Sequence, residues 1–260
     1  YDVHVHCLDP DVNAPCRDVA HSFTVGSLND FDTVYQFGKE KDVLTVEIEN
    51  VSVDALEKLE SEGVKVFPQP RVLRIIRDKG LQKQFYLDNG IPTPDFYLVE
   101  NKEDINKYIS EFPFMQKMRT GGYDGKGVTP LRTESDLATA FDVPSILEKF
   151  VDFEKELSVI VARNENGQTK VYPTVECEFS PEANLVEFLF SPADVTPEIE
   201  HKAEQIAMDV IDKLGMVGIL AVELFLTKSG EILVNEIAPR PHNSGHHTIC
   251  LLYTSDAADD

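Results

Sequence analysis

The sequence predicts an α/β protein. Three observations carry this. Short Val/Ile/Thr-rich runs alternate with amphipathic stretches over residues 1–70. A single long apolar stripe at helical spacing covers 198–214, and a strand–turn–strand pattern covers 218–239. Strands alternating with helices imply a parallel sheet.

The elements follow in order. The opening "YDVHVHCLDPDVNAP" alternates Val3, Val5 and Cys7 with polar neighbours, then breaks at "LDPD", a strand and a loop. "FTVGSLND" and "DVLTVEIENV" repeat the pattern. Ser52–Glu62 is a helix candidate, and "VKVFP" supplies another strand. A helix is predicted from about Arg71 to Leu87, stopped by Asn89-Gly90, with Pro92 and Pro94 stiffening the exit. This Pro-bracketed stretch is the expected domain boundary. "FYLVE" and "FPFMQKM" read as strands around a polar helix near Lys102–Ser110. "SILEKFVDFEKELSVIVAR" is strand, loop, strand. From Glu198 to Leu214, residues Ile199, Ala203, Ile206, Ala207, Val210, Ile211 and Leu214 form one stripe, ended by Gly215. "GILAVELFLTKSGEILVNEIAP" is a hairpin turning at "TKSG".

Composition bounds the function. The 260 residues are 42% hydrophobic, ordinary for one large or two small globular domains. No run approaches roughly 18 apolar residues, so no membrane-spanning helix is expected, and no signal peptide is visible. With 24 Lys+Arg against 46 Asp+Glu the surface repels nucleic acid and anionic membrane. An anionic small substrate remains compatible, because a few local cations define a pocket. Cys7, Cys16, Cys177 and Cys250 include no C-x₂-C pair and read as reduced thiols of a cytoplasmic protein.

Three patterns carry chemistry. Glu223 and Glu236 interrupt apolar strands on the two arms of the hairpin. A two-residue turn at Lys228-Ser229 makes them same-face diagonal neighbours; one at Ser229-Gly230 sets them directly opposite. Either way two carboxylates share a face and repel unless a cation lies between them, which suits Mg²⁺; a solvated open face is the plainer alternative. Strict alternation sends Asn235 to the other face. "TGGYDGKG", at Thr120–Gly127, is a glycine loop whose backbone N–H groups can approach phosphate. Lys117 precedes it and Lys126 lies within it; a hairpin turn with no ligand is the alternative. It is not a Walker loop. Finally His242, His246 and His247 suggest zinc, but they lack Cys partners and a fourth ligand.

"TGGYDGKG", "LEKFVDFEKELS", "VELF" and "NEIAPRPHNSGHHT", in this order, resemble the ATP-grasp enzymes. Within them the similarity is to the N5-carboxyaminoimidazole ribonucleotide synthetase family of purine biosynthesis. It runs from about Val3 to Ile249. The resemblance implies an ATP-grasp fold at 71–249, with a lid subdomain at about 95–150, preceded by an incomplete parallel, Rossmann-like α/β domain at 1–70. It implies that ATP phosphorylates bicarbonate to carboxyphosphate, whose CO₂ passes to 5-aminoimidazole ribonucleotide. Lys79 and Lys117 match ATP-phosphate contacts, with Lys79 standing where many members have Arg. Gly122, Tyr123, Asp124, Gly125, Lys126, Gly127 and Val128 match the loop that closes over the phosphates. Glu148, Lys149, Phe150 and Val151 match the strand that reads adenine, mostly through backbone, and Glu156 the ribose carboxylate. Glu223 and Glu236 match Mg²⁺ ligands, with Asn235 beside them. Arg240, Asn235 and Lys126 are the expected catalytic residues, since phosphoryl transfer needs charge neutralisation more than a general base. Tyr123, Asp124, Arg240, His242 and Asn243 are expected on the substrate side; His246 and His247 would begin the next helix.

Two departures from the family shape further expectations. A "GGGQLG"-like first strand and turn is not seen, and "CLLYTSDAADD" at 250–260 reads as an extraneous tail in place of a C-terminal domain. A chain truncated at both ends is therefore expected, with exposed sheet edge. The intact protein is expected to be a homodimer. Two other readings stand beside this one: a formate-dependent glycinamide ribonucleotide transformylase, and a nucleotide-binding fragment without turnover.

Overall fold

The computed structural model describes residues 3–122, 127–179 and 186–248. The chain divides into two compact units, Tyr1–Arg74 and Ile75–Asp260.

In the first unit β1 (His6–Asp9) pairs in parallel with β2 (Ser22–Val25). α1 (Phe31–Gly38), capped by the Asp30 carboxylate on Thr33 N at 2.8 Å, leads to β3 (Val43–Thr45). α2 (Val53–Ser61) follows, starting after Ser52, and β4 (Lys65–Phe67) pairs in parallel with β3. The parallel pairing is the one predicted from strand–helix alternation. Val34, Leu44, Leu56, Leu59, Val66 and Leu73 form the core. A Cβ on Gly38 would lie 2.5 Å from Leu59 Cδ1, so the absent side chain is what lets α1 approach α2. The first strand is narrower than expected. It begins at His6, while Val3 and Val5 are exposed; Val5 is held from outside the strand by His21, whose backbone N–H donates to its carbonyl.

The predicted helix over 71–87 is in fact two helices, α3 (Pro70–Ile76) and α4 (Lys79–Asp88). Asp78 breaks the run: its carboxylate accepts from Gly80 N at 2.8 Å and Leu81 N at 3.2 Å and so starts a new helix. The apolar period continues across the break, which hides it.

The second unit has two antiparallel sheets. β5 (Phe96–Val99), β6 (Phe114–Met118), β7 (Val128–Leu131) and β8 (Ser145–Lys149) lie in the order β5-β8-β6-β7. Val99, Ile105, Phe114, Leu131 and Leu147 form their core. The predicted helix at 102–110 is a 3₁₀ helix, Lys102–Glu111; Ile105 and Tyr108, three apart, suit its tighter turn.

The larger sheet contains β9 (Phe153–Arg163), β10 (Thr169–Val171), β11 (Val175–Phe179), β12 (Val186–Phe190), β13 (Gly218–Thr227) and β14 (Ile232–Ala238). Its order is β12-β11-β9-β13-β14, with β10 also on β9. α5 (Pro197–Leu214) buries Ala203, Ile206, Ala207, Val210, Ile211 and Leu214, packs on β9, and ends at Gly215 with φ 56°. Among the described residues no helix is long and apolar enough to cross a membrane.

Candidate functional site

The hairpin does not use either two-residue turn. Thr227 N donates to Glu231 O and Gly230 N to Thr227 O, both at 2.9 Å, so three residues, Lys228–Gly230, link the arms. Gly230 takes φ 81°, which a side chain would resist. This turn pairs Leu226 with Ile232 and Leu224 with Val234, and would set Glu223 against Asn235. A β-bulge at Glu223/Leu224 shifts the register, and Glu223 faces Glu236. Asn235 is the extra residue. A bulge breaks strict alternation, so Asn235 and Glu236 both serve one face. The expectation that Asn235 points away is thereby corrected: Lys117 Nζ donates to Asn235 Oδ1 at 3.1 Å.

The same sheet face continues across neighbouring strands. Ser158 of β9 lies opposite Glu223, and Glu156 opposite both Phe225 and Cys177. Glu223 and Glu236 keep 31% and 44% of their side-chain surface yet are surrounded closely enough by protein to be largely desolvated, so they form the floor of a recessed cleft that water reaches from one side.

Cations enter from two other elements. Lys79, first residue of α4, pairs with Glu236. A cation at a helix N-terminus opposes the macrodipole, so this pairing and the Asp78 cap offset an unfavourable position. Lys117 of β6 lies opposite Ile146 of β8, which puts Glu148, two residues on, diagonal to it on one face. Lys117 Nζ reaches Glu148 Oε1 at 2.6 Å. Lys83, one turn after Lys79, reaches Glu148 Oε2 at 2.5 Å.

Electrostatics divides the carboxylates. Burial, then Glu236 and Glu156, push the Glu223 carboxyl up to about 7. Burial also pushes Glu156 up to about 7, opposed by Lys117. Burial disfavours charge on Glu236 as well, but Lys79 outweighs it and holds the group below its usual value. Burial acts on Glu148 likewise, and Lys117 and Lys83 win. Burial lowers Lys83 to about 8 against the pull of Glu148. Burial, Glu223 and Glu156 raise the Cys177 thiol to about 12, so it is inert here. Glu223 thus faces the His242 imidazole at 3.3 Å rather than an ammonium, beside a carboxylate that has Lys79. That fits a divalent cation, with water and phosphate oxygens completing its shell. Among the described residues no three His, Cys, Asp or Glu side chains are grouped to hold a metal by themselves.

The other candidate residues are distributed as follows. His242 Nε2 lies 3.3 Å from Glu223 Oε1, and its Nδ1 hydrogen-bonds with Ser244 Oγ at 2.9 Å. Ser244 Oγ in turn meets Ser158 Oγ at 2.8 Å. Asn243 Oδ1 accepts from Ser244 N at 2.9 Å, at the start of a 3₁₀ helix, Asn243–Thr248, that includes His246 and His247. Arg240 follows β14, half-buried, and donates to the Pro241 carbonyl at 2.9 Å. Lys149, Phe150 and Val151 line a cavity of about 400 Å³ with Pro94, Asp95 and Leu233. Gly127 (φ 80°) has no room for a Cβ, which would lie 3.1 Å from Gly122 Cα, so the ends of the glycine loop close on each other. Val128 pairs with Lys117 at the loop's exit. Tyr123, Asp124, Gly125 and Lys126 lie outside the described residues, as does the stretch 249–260.

Sequence reasoning missed Lys83, Thr93, Asp78 and Arg119. The signal for Lys83 was its i,i+4 spacing from Lys79 on one helix face. Arg119 forks onto Asp78 at 2.8 and 2.7 Å, and its carbonyl accepts from Lys79 N at 2.9 Å. No local pattern announces that pair.

Comparison with known proteins agrees with this architecture. Residues 84–256 match the ATP-grasp domain family, and residues 1–77 the ribonucleotide synthetase preATP-grasp domain. The chain is 41% identical over 97% of its length to the chloroplastic phosphoribosylaminoimidazole carboxylase of Vigna aconitifolia, spanning 46% of that protein, about half. It is 36% identical over 96% of its length to N5-carboxyaminoimidazole ribonucleotide synthase of Bacillus subtilis (strain 168), spanning 67% of it. A solved N5-carboxyaminoimidazole synthase from Aspergillus clavatus, in complex with ADP and 5-aminoimidazole ribonucleotide, superposes with a TM-score of 0.84 at 31% identity, covering 93% of this chain and 65% of that one. The chain belongs to the ATP-grasp family, in its N5-carboxyaminoimidazole ribonucleotide synthetase branch.

Proposed function

We propose that this chain carries the ATP-dependent carboxylation of 5-aminoimidazole ribonucleotide by bicarbonate, yielding the N5-carboxylated ribonucleotide, ADP and phosphate. The observation that supports this most is Glu223 facing Glu236 with Lys79 and Lys117 at the rim of the same cleft. Two carboxylates and two cations converging from four elements suit a metal–triphosphate complex. The Aspergillus relative, bound to ADP and 5-aminoimidazole ribonucleotide, supplies the substrate class.

In this reading Lys79 and Lys117 bind and orient the phosphates, and Glu223 and Glu236 hold Mg²⁺ with Asn235 beside them. Mg²⁺, when bound, neutralises charge on the transferring phosphoryl group. Glu148, Lys149, Phe150 and Val151 receive adenine, and Glu156 the ribose hydroxyls. The glycine loop and the segment at about 95–150 close as a lid, because carboxyphosphate survives only where water is excluded. Arg240 and Lys126 steady the phosphoryl group, and Tyr123, Asp124, His242 and Asn243 face the ribonucleotide. In the same reading the protein works as a cytoplasmic homodimer.

The test is ADP release with Mg-ATP, with bicarbonate and the ribonucleotide supplied together and each omitted in turn. Release that needs both supports the proposal. Release that formate sustains and bicarbonate does not would replace it with the formate-using ligase.

A further inference from the structure

We infer that Lys83 is the standing counter-ion of Glu148, the group that frees Lys117 to meet a nucleotide phosphate. The inference rests on the nucleotide-binding reading above.

Lys83 is among the most enclosed charges of the chain, 2% exposed. It shares a face of α4 with Lys79, yet the two do different things. Lys79 reaches the cleft floor at Glu236, while Lys83 turns inward to Glu148 Oε2. Its ammonium also donates to Thr93 Oγ1 at 2.6 Å, and that hydroxyl donates to the Val234 carbonyl at 2.8 Å, next to the bulge. Val234 N closes the link on Pro92 O at 2.7 Å. Lys83 is therefore tied on two sides and has no path to solvent.

Lys117 is placed differently. It keeps 13% of its side-chain surface and divides its donors between Glu148 Oε1 and Asn235 Oδ1. One carboxylate thus has two ammonium partners, one more than neutrality requires. A buried carboxylate stripped of its cation is strongly disfavoured. If Lys117 alone served Glu148, its movement to a phosphate would strand that charge. With Lys83 fixed on the second oxygen, Lys117 can exchange Glu148 for phosphate while Glu148 stays paired. Lys83 is a positioning residue in this scheme and touches no substrate.

The test measures Mg-ADP affinity by calorimetry for the wild-type chain, Lys83→Met, Lys83→Arg and the double variant Lys83→Met with Glu148→Gln. Lys83→Met is expected to weaken binding by about tenfold or more, because Glu148 then retains Lys117. Lys83→Arg is expected to stay within about threefold of wild type. The double variant has no buried charge to serve and is expected to recover most of the lost affinity. A purely structural role for Lys83 predicts no such recovery. Lys83→Met binding within about twofold of wild type, or a double variant no better than Lys83→Met, overturns the inference. Where Lys83→Met fails to fold, Glu148→Gln is compared with the double variant. Equal affinities support the inference, and a loss beyond about threefold overturns it. A wild-type chain that binds no Mg-ADP overturns the nucleotide reading itself; wild-type binding with an unaffected Lys83→Met overturns this inference alone.

Discussion

Glu223 and Glu236 stand opposite each other across the β13–β14 hairpin because Asn235 is bulged out of the pairing. The turn alone would have set Glu223 against Asn235 and sent the two carboxylates to opposite faces. Their closeness makes the cleft acidic, and the first prediction concerns that acidity.

Glu223 and Glu156 both titrate at about 7 in the fold, against an ordinary 4.5. Between those values the folded chain holds more protons than the unfolded one. Stability of the metal-free, nucleotide-free chain is therefore expected to fall as pH rises from about 4.5 to about 7, then level off. Each group contributes a slope of at most about 1.4 kcal/mol per pH unit. Glu156→Gln should flatten the decline and raise the melting temperature at pH 8. Melts in EDTA at pH 5.5 and 8 check this; an unchanged slope in Glu156→Gln counts against it.

Lys79 is the described cation paired with Glu236. Lys79→Met is expected to lower the melting temperature of the metal-free chain by several degrees, since it leaves a carboxylate pair uncompensated. Millimolar Mg²⁺ should recover most of that loss if the ion sits between Glu223 and Glu236. A thermal-shift titration with Mg²⁺, with Glu236→Gln as control, reads the effect. Equal recovery in Lys79→Met and in the control would disprove it.

Asn235 gives Lys117 its acceptor on the hairpin side. Asn235→Ala removes one charge-assisted hydrogen bond, a loss of about 1.5–3 kcal/mol. Nucleotide affinity is expected to drop by roughly tenfold or more, while the Mg²⁺-dependent thermal shift persists because both Glu remain. Loss of both together would mean that the bulge itself had collapsed.

Gly80 sits beneath the Arg119 guanidinium. A Cβ there would lie 2.6 Å from Arg119 Nε and 3.1 Å from Asp78 Oδ1. Ala in a helix is ordinarily favoured over Gly by up to about 1 kcal/mol. Overpacking against the Asp78–Arg119 fork is expected to win, with a net loss of about 1–3 kcal/mol. Urea denaturation of Gly80→Ala measures the sign, and a stabilised variant would show that the fork moves aside freely.

The amphipathic elements were legible because their patterns are local. Ser52 and Glu62 bracket α2 as expected, and the stripe lies buried on one face of α5 from Ala203 to Leu214, with Ile199 half-buried at its start. The two arms of the hairpin, with one Glu on each, were legible for the same reason. The break at Asp78 was not. A side-chain cap interrupts hydrogen bonding without interrupting the apolar period, so periodicity ran through it. The bulge at Asn235 was hidden too, because register depends on turn geometry and on pairing with β9 together.

From the order of its elements and motifs, the sequence by itself determined an α/β protein with a glycine loop and a carboxylate-bearing hairpin. Those features follow from residue period and composition, which need no long-range contact. Only the tertiary structure decided which charges meet. Lys79, Lys117 and Glu148 come from different elements, as do Glu223 and Glu236, and Lys83 acquires its role from burial beneath them. An ion pair between residues more than a hundred positions apart leaves no trace in local pattern. It exists because sheet register and helix placement bring the groups to one face.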